Sequence, residues 1–161
     1  MTGSNPGNAG ETEVVVTRVF NAPRDVVFKF WTEPEQFAKW WGPAGYYTPP
    51  EDVVIELRAG GRFQLHMVQT ATGAEVWVHG EIVEVVAPEI LAISMDVPRP
   101  IGLPPMKTIV RVEFDDLGDK TRITLRQGPF ATAEQREQTA AGWIHSFGTL
   151  DQLLLSGSGQ F

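Results

Sequence analysis

The amino-acid sequence predicts an α+β domain in which a curved antiparallel β-sheet packs on one long C-terminal α-helix, with two short helices placed after the first strand. Three observations predict it. Apolar and polar residues alternate through the middle of the chain, from Asp52 to Gln127. Turn signals at Thr72-Gly73, Ala87-Pro88 and Leu117-Gly118-Asp119 divide that stretch into hairpin-sized segments. Beyond it, Ala140, Trp143, Ile144, Phe147, Leu150 and Leu154 recur at helical spacing.

Taken in order, Glu13 to Asn21 is β-branched and ends at Asn21-Ala22-Pro23, as a first strand should. Pro23 suits the first turn of a helix, and Val26, Val27, Phe30 and Trp31 supply its apolar stripe. A second short helix follows, with Thr32 and Glu35 at capping-box spacing, Pro34 in its first turn, and Phe37, Trp40 and Trp41 on its buried side. Gly42-Pro43 stops it. Period two then begins with Val53, Ile55 and Leu57, breaks at Gly60-Gly61, which reads as a strand-entry turn needing positive φ, and resumes with Phe63, Leu65 and Met67. The strands that follow are Arg62 to Thr70, Glu75 to Val86, Ile90 to Asp96, Lys107 to Asp115 and Lys120 to Gln127. Val110, Val112 and Phe114 alternate with Arg111 and Glu113, so one face of the sheet is apolar and one is wet. Thr132 and Gln135 repeat the capping-box spacing at the start of the long helix that covers the apolar face. Residues 1–11 and 156–161 are small and polar and read as flexible tails, which leaves a single domain over 12–155.

Composition excludes several classes of function. The chain has 161 residues with 13 basic and 20 acidic side chains, a net charge of −7 that offers no attraction to phosphate backbones or anionic bilayers. Nucleic acid is therefore not an expected partner. No apolar run reaches the roughly 18 residues of a membrane span and no basic, apolar leader opens the chain, so a cytoplasmic protein without membrane insertion is expected. Cysteine is absent, which removes thiol nucleophiles, cysteine zinc sites and disulfides. His66, His79 and His145 lack zinc-binding spacing, and no phosphate loop, dinucleotide fingerprint or G-x-S-x-G occurs, so no metal and no cofactor is expected. His79-Gly80-Glu81 matches the H-x-E piece of zinc deaminases, but the cysteines that chemistry requires are missing.

A twisted sheet and a straight helix touch at one end and diverge at the other, leaving a wedge that side chains or a ligand must fill. The residues expected inside are Trp31, Trp40, Trp41, Phe63, Leu65, Met67, Val110, Val112, Trp143 and Phe147, either as ordinary core or as cavity lining, since the same chemistry serves both. His66 and His145 fall on wet faces. Strict alternation also puts His79 and Glu81 outside with Trp77. A β-bulge near Gly80 would turn them inward and make them an acid/base pair, and they are the only catalytic candidates.

The run Asn21 to Phe28, then Trp31-Thr32-Glu33-Pro34-Glu35, Trp40-Trp41-Gly42-Pro43, Leu57 to Phe63, Gly80-Glu81 with Pro88 to Leu91, Lys120 to Leu125 and Gly142-Trp143, resembles START-like (Bet v 1-like) proteins. Within them it is most similar to the group resembling the C-terminal domain of the heat-shock protein 90 ATPase activator. The resemblance implies a helix-grip fold with an internal cavity for an apolar small molecule, while the superfamily's varied members leave the activity open. Asp96 to Lys107 departs from it, carrying Pro98, Pro100, Pro104 and Pro105, and reads either as a lid over the wedge or as a surface excursion. The expected function is binding of a small hydrophobic, possibly aromatic, molecule between sheet and helix. The alternative is a polyketide-cyclase-type enzyme using an acid/base residue in the same cavity. The chaperone activator has a further N-terminal domain for which this chain has no room, so a chaperone partner is not expected. Exposed sheet edges and Trp77 leave homodimerisation open.

Overall fold

A computed structural model describes residues 12–98 and 105–155. The predicted tails and the centre of the proline-rich segment lie outside the described residues. The described chain forms an α+β helix-grip architecture: one antiparallel sheet of eight strands curls as a half-barrel around a long C-terminal helix. The strands are β1 (Val14–Phe20), β2 (Tyr46–Tyr47), β3 (Val54–Ile55), β4 (Arg62–Gln69), β5 (Glu75–Val86), β6 (Ile90–Val97), β7 (Met106–Asp116) and β8 (Thr121–Gly128). The helices are α1 (Arg24–Thr32), α2 (Pro34–Phe37) and α3 (Ala133–Leu155). Strand order is β1-β8-β7-β6-β5-β4-β2, with β3 also paired to β4. Sequential hairpins build β4 to β8, and β1 closes onto β8 from Val14 opposite Gln127 to Phe20 opposite Thr121. Among the described residues no helix is long and apolar enough to cross a membrane.

Alternation sets the inner face. Phe63, Leu65, Leu91, Ile93, Val110, Val112, Ile123 and Leu125 are all fully buried beneath α3, while Arg111, Glu113, Arg122 and Arg126 face solvent. On the outer face charge is paired across strands, as where Arg111 donates to Glu84 at 2.7 Å. The sheet bends at β5, where a register shift between Ile82 and Glu84 inserts a bulge, and bulges increase local twist. Close by, Gly80 lies so near β6 that a Cβ on it would sit 1.7 Å from the Ser94 carbonyl oxygen. The serine hydroxyl also accepts from the Glu81 N–H at 2.9 Å.

Several expectations are corrected. Thr32 does not cap α2: it ends α1, and its hydroxyl donates to the Phe28 carbonyl at 3.0 Å, leaving Glu33 as a cap without a side-chain bond. Leu57 is 41% exposed because β3 ends at Ile55 and the chain turns away toward Gly60, whose φ is +83°. The strands after the helix pair number seven where six are expected, since β2 adds a short one and the segment beginning at Val53 is β3. Ile144 is 59% exposed, and the buried stripe of α3 runs through Trp143, Ser146, Phe147, Leu150 and Leu154. His66 has the outer-face parity expected of it yet is only 8% exposed. The turn Pro50–Asp52 and Trp77 cover it, with Nδ1 2.9 Å from Asp52 Oδ2, Nε2 2.7 Å from Glu75 Oε1, and the indole stacked at 4.0 Å. At the start of α3 the expected cap does form, the Thr132 hydroxyl accepting from the Gln135 N–H at 3.1 Å.

Two glycines test this geometry in opposite directions. Gly80→Ala must push β5 off β6 and should destabilise the domain by at least about 2 kcal/mol. Gly148→Ala, in α3 where nothing lies within 4 Å of the new Cβ, should stabilise it by about 0.5–1 kcal/mol. Urea unfolding midpoints of the two variants measure both.

Candidate functional site

From Trp143 onward α3 is sealed onto the sheet by aromatic side chains. Trp31, fully buried on α1, is stacked on Trp143 at 5.6 Å and 20°, and meets Trp40 at 4.9 Å and Phe37, Phe114 and Phe147 at 6.0 to 6.2 Å. Phe147 in turn meets Phe20 edge-on at 5.3 Å. Such pairs contribute about 0.5–1.5 kcal/mol each beyond the area they bury, so this end of the wedge is solid. Trp40 Nε1 donates to the Phe30 carbonyl at 2.9 Å, fixing the α1–α2 pair around the same cluster.

Toward its N-terminus α3 parts from the sheet, and a cavity of about 520 Å³ opens there. Its sheet wall is Met67 on β4, Val76 and Val78 on β5, Met95 and Val97 on β6, Met106 on β7 and Gln127 on β8. Its helix wall is Gln138, Thr139, Ala141, Gly142, Trp143 and His145, and the side is closed by Trp41, Pro43 and Ala44 in the loop after α2 and by Tyr46 on β2. That loop is held to the helix by one buried hydroxyl. Ser146 Oγ accepts from the Gly42 N–H at 3.0 Å and donates to the Gly42 carbonyl at 2.9 Å. Gly42 suits the site because its φ of +129° is one that residues with a Cβ rarely adopt.

The interior side of the cavity carries a single polar chain. Trp143 Nε1 donates to Gln127 Oε1 at 2.6 Å, and Gln127 Nε2 donates to Thr108 Oγ1 at 2.8 Å. Gln127, Thr108 and Trp143 are 7%, 3% and 4% exposed, so the network is shielded from solvent and fixes the indole that forms the cavity's inner end. Among the described residues, no Lys, Arg, Asp or Glu lines the space, and no group of three or more His, Cys, Asp and Glu could hold a metal ion.

Of the residues expected inside, Trp41, Met67 and Trp143 line the cavity. Trp31, Trp40, Phe63, Leu65, Val110, Val112 and Phe147 do not; they are packed core, at most 2% exposed, beneath the closed half of the helix. His79 and Glu81 are exposed on the outer face, because pairing of β4 with β5 is regular through Gly80 and the bulge falls after Ile82, too late to turn them inward. The inward acid/base pair is therefore not formed. His145 is exposed as expected but stands at the cavity mouth. Sequence reasoning missed Met95, Met106, Gln127 and Ser146. Parity is the signal that finds Gln127, which shares the inner register of Ile123 and Leu125. The candidate lid has its ends at Val97 and Met106, which pair across β6 and β7 and line the mouth; residues 99–104 lie outside the described residues.

Ser146→Ala removes both bonds to Gly42 and leaves a buried N–H and carbonyl without partners, which should lower stability by about 2–3 kcal/mol. Ser146→Cys, nearly isosteric with a weak donor, should recover only part. Thermal denaturation of the two variants measures the difference.

Residues 21–155 match the family model described as Activator of Hsp90 ATPase homolog 1-like protein. No curated protein matches the chain at a significant level. Among solved structures, protein CV1439 from Chromobacterium violaceum superposes with a TM-score of 0.78 at 24% identity, covering 89% of this chain and 96% of that one. The AHSA1 protein SPO3351 from Silicibacter pomeroyi gives 0.77 at 19% identity, with 89% and 97% covered. Protein Ms6760 from Mycobacterium smegmatis gives 0.73 at 23% identity, with 92% and 94% covered. At these identities the likenesses establish a shared fold, and with the match over 21–155 they show that this chain belongs to the Activator of Hsp90 ATPase homolog 1-like family, within the START-like helix-grip superfamily.

Proposed function

We propose that this domain is a binding module that holds one small hydrophobic molecule, with room for an aromatic ring system, between the sheet and the N-terminal half of α3, in the cytoplasm. The observation that carries this reading is the cavity of about 520 Å³, within the size range of small-molecule sites and walled mainly by aliphatic, thioether and indole side chains. Met67, Met95 and Met106 give it an adaptable surface, because an unbranched thioether rearranges at little cost and contacts aromatic rings favourably. A ligand hiding about 300 Å² of its own apolar area and a like area of cavity wall gains on the order of 15 kcal/mol, and association costs of roughly 4–15 kcal/mol leave room for micromolar affinity.

A second reading, favoured by His145 and Tyr46 in the lining, is a cyclase-type enzyme in which the cavity folds a polyketide-like chain and His145 moves a proton during enolisation. Incubation with a linear poly-β-ketone thioester distinguishes it: the enzyme yields a cyclised product that His145→Gln fails to form, and the binding module yields none.

The binding reading is tested with N-phenyl-1-naphthylamine, a neutral dye that brightens in apolar surroundings. The protein should bind it with a Kd in the micromolar range, about −8 kcal/mol. Met106→Trp at the mouth should weaken the dye at least about tenfold while leaving the circular dichroism spectrum unchanged. Absence of dye binding, or undiminished binding to Met106→Trp, overturns the proposal.

A further inference from the structure

We propose that the cavity selects neutral, flat, largely apolar molecules that carry one hydroxyl or carboxamide group, and that Gln127 is the residue that recognises this group. The inference rests on the ligand-binding reading above and names the class of ligand.

The argument starts from the orientation of the Gln127 amide. An indole N–H can only donate, so the Gln127 atom 2.6 Å from Trp143 Nε1 must be the carbonyl oxygen. That choice places Nε2 2.8 Å from Thr108 Oγ1 as a donor. Both neighbours are buried, so the amide is held in one orientation before any ligand arrives. A carboxamide has two donor hydrogens and two acceptor lone pairs, and these bonds use one of each. One N–H and one lone pair remain on a side chain that lines the cavity. They form a complementary pair that a hydroxyl or another carboxamide can satisfy, because such groups both donate and accept.

The rest of the lining decides charge. Neither Lys nor Arg is among the described residues that reach the cavity, so no described side chain pairs with a carboxylate or sulfate carried inside, where desolvation opposes the charge. Asp and Glu are likewise missing from the described lining, so a cationic amine gains no partner either. A bare hydrocarbon enters, but it offers no partner to the remaining N–H and lone pair of Gln127. The three outcomes order the ligands: neutral with one hydroxyl or carboxamide first, hydrocarbon second, anion last.

The test is isothermal calorimetry on the full chain with 2-naphthamide, naphthalene and 2-naphthoate, which share one ring system and differ in the group presented to Gln127. 2-Naphthamide should bind at least about fivefold more tightly than naphthalene, the worth of one net hydrogen bond. 2-Naphthoate should bind at least about thirtyfold more weakly than the amide, as an unpaired buried charge requires. Gln127→Met keeps the length of the side chain and removes its free donor and acceptor, so it should bring amide and hydrocarbon to within about twofold while naphthalene still binds. Equal affinity for naphthoate and naphthamide, or a full amide preference in Gln127→Met, overturns the proposal and leaves the cavity reading intact. Failure of all three compounds and of the dye overturns the cavity reading itself. Should Gln127→Met fold poorly, the side-chain NH₂ resonances of Gln127 in the unmutated protein give a separate readout: they should shift with naphthamide far more than with naphthalene, and equal shifts contradict the assignment.

Discussion

The structure depends on the position of one indole. Trp31 touches rings contributed by the segment through α2, by β7 and by α3, and so fixes how far the long helix can approach the sheet at its middle, where Trp143 and Phe147 lie. A helix of 23 residues is rigid over about 34 Å, at about 1.5 Å per residue, so clamping its middle determines where its N-terminal half stands. The sheet, bent at the β5 bulge, does not follow it. The cavity is the geometric remainder of a rigid rod held tightly at its middle over a curved surface.

This division explains why aromatic residues of similar chemistry have different roles. Trp31 and Trp40 lie on the closed side, where rings meet rings and exclude both water and ligand. Trp41 and Trp143 lie at the boundary and present a face to the open space. Trp143 belongs to both halves: one side stacks on Trp31, and its nitrogen anchors Gln127. Any ligand that enters therefore rests against a surface organised by the core, which makes the site preformed and lowers the ordering cost of binding. The loop that begins at Trp41 forms a side wall tied to α3 through Ser146.

The sequence carries most of the fold. Strand limits were readable to within one or two residues from β4 to β8 because alternation, glycine turns and β-branched residues agreed with one another. The site was less legible, for reasons visible at particular residues. Ile144 was assigned to the buried stripe because it is apolar, yet Ser146 occupies the correct helical spacing three residues after Trp143 and is the one buried, since two hydrogen bonds offset the burial of its hydroxyl. His66 showed its face by parity but not its burial, which comes from Asp52 and Trp77, residues distant in sequence or on the next strand. Phe63, Leu65, Val110 and Val112 have the same composition as a cavity wall, and only the direction in which α3 diverges separates them from Met67, Val76 and Met95. That direction is a tertiary property set by the Trp31 cluster, and no local pattern encodes it.

The claim at the centre of this account is that the space under the N-terminal half of α3 is open to a ligand and lined by Met67, Met95 and Met106. Methyl-labelled methionine makes it directly observable by two-dimensional NMR as naphthalene is titrated into the protein. The account predicts that the methyl resonances of these three residues shift together and saturate with a common Kd, because one molecule contacts all of them. Resonances that stay in place while the compound is in excess, or that shift with unrelated midpoints, would contradict it.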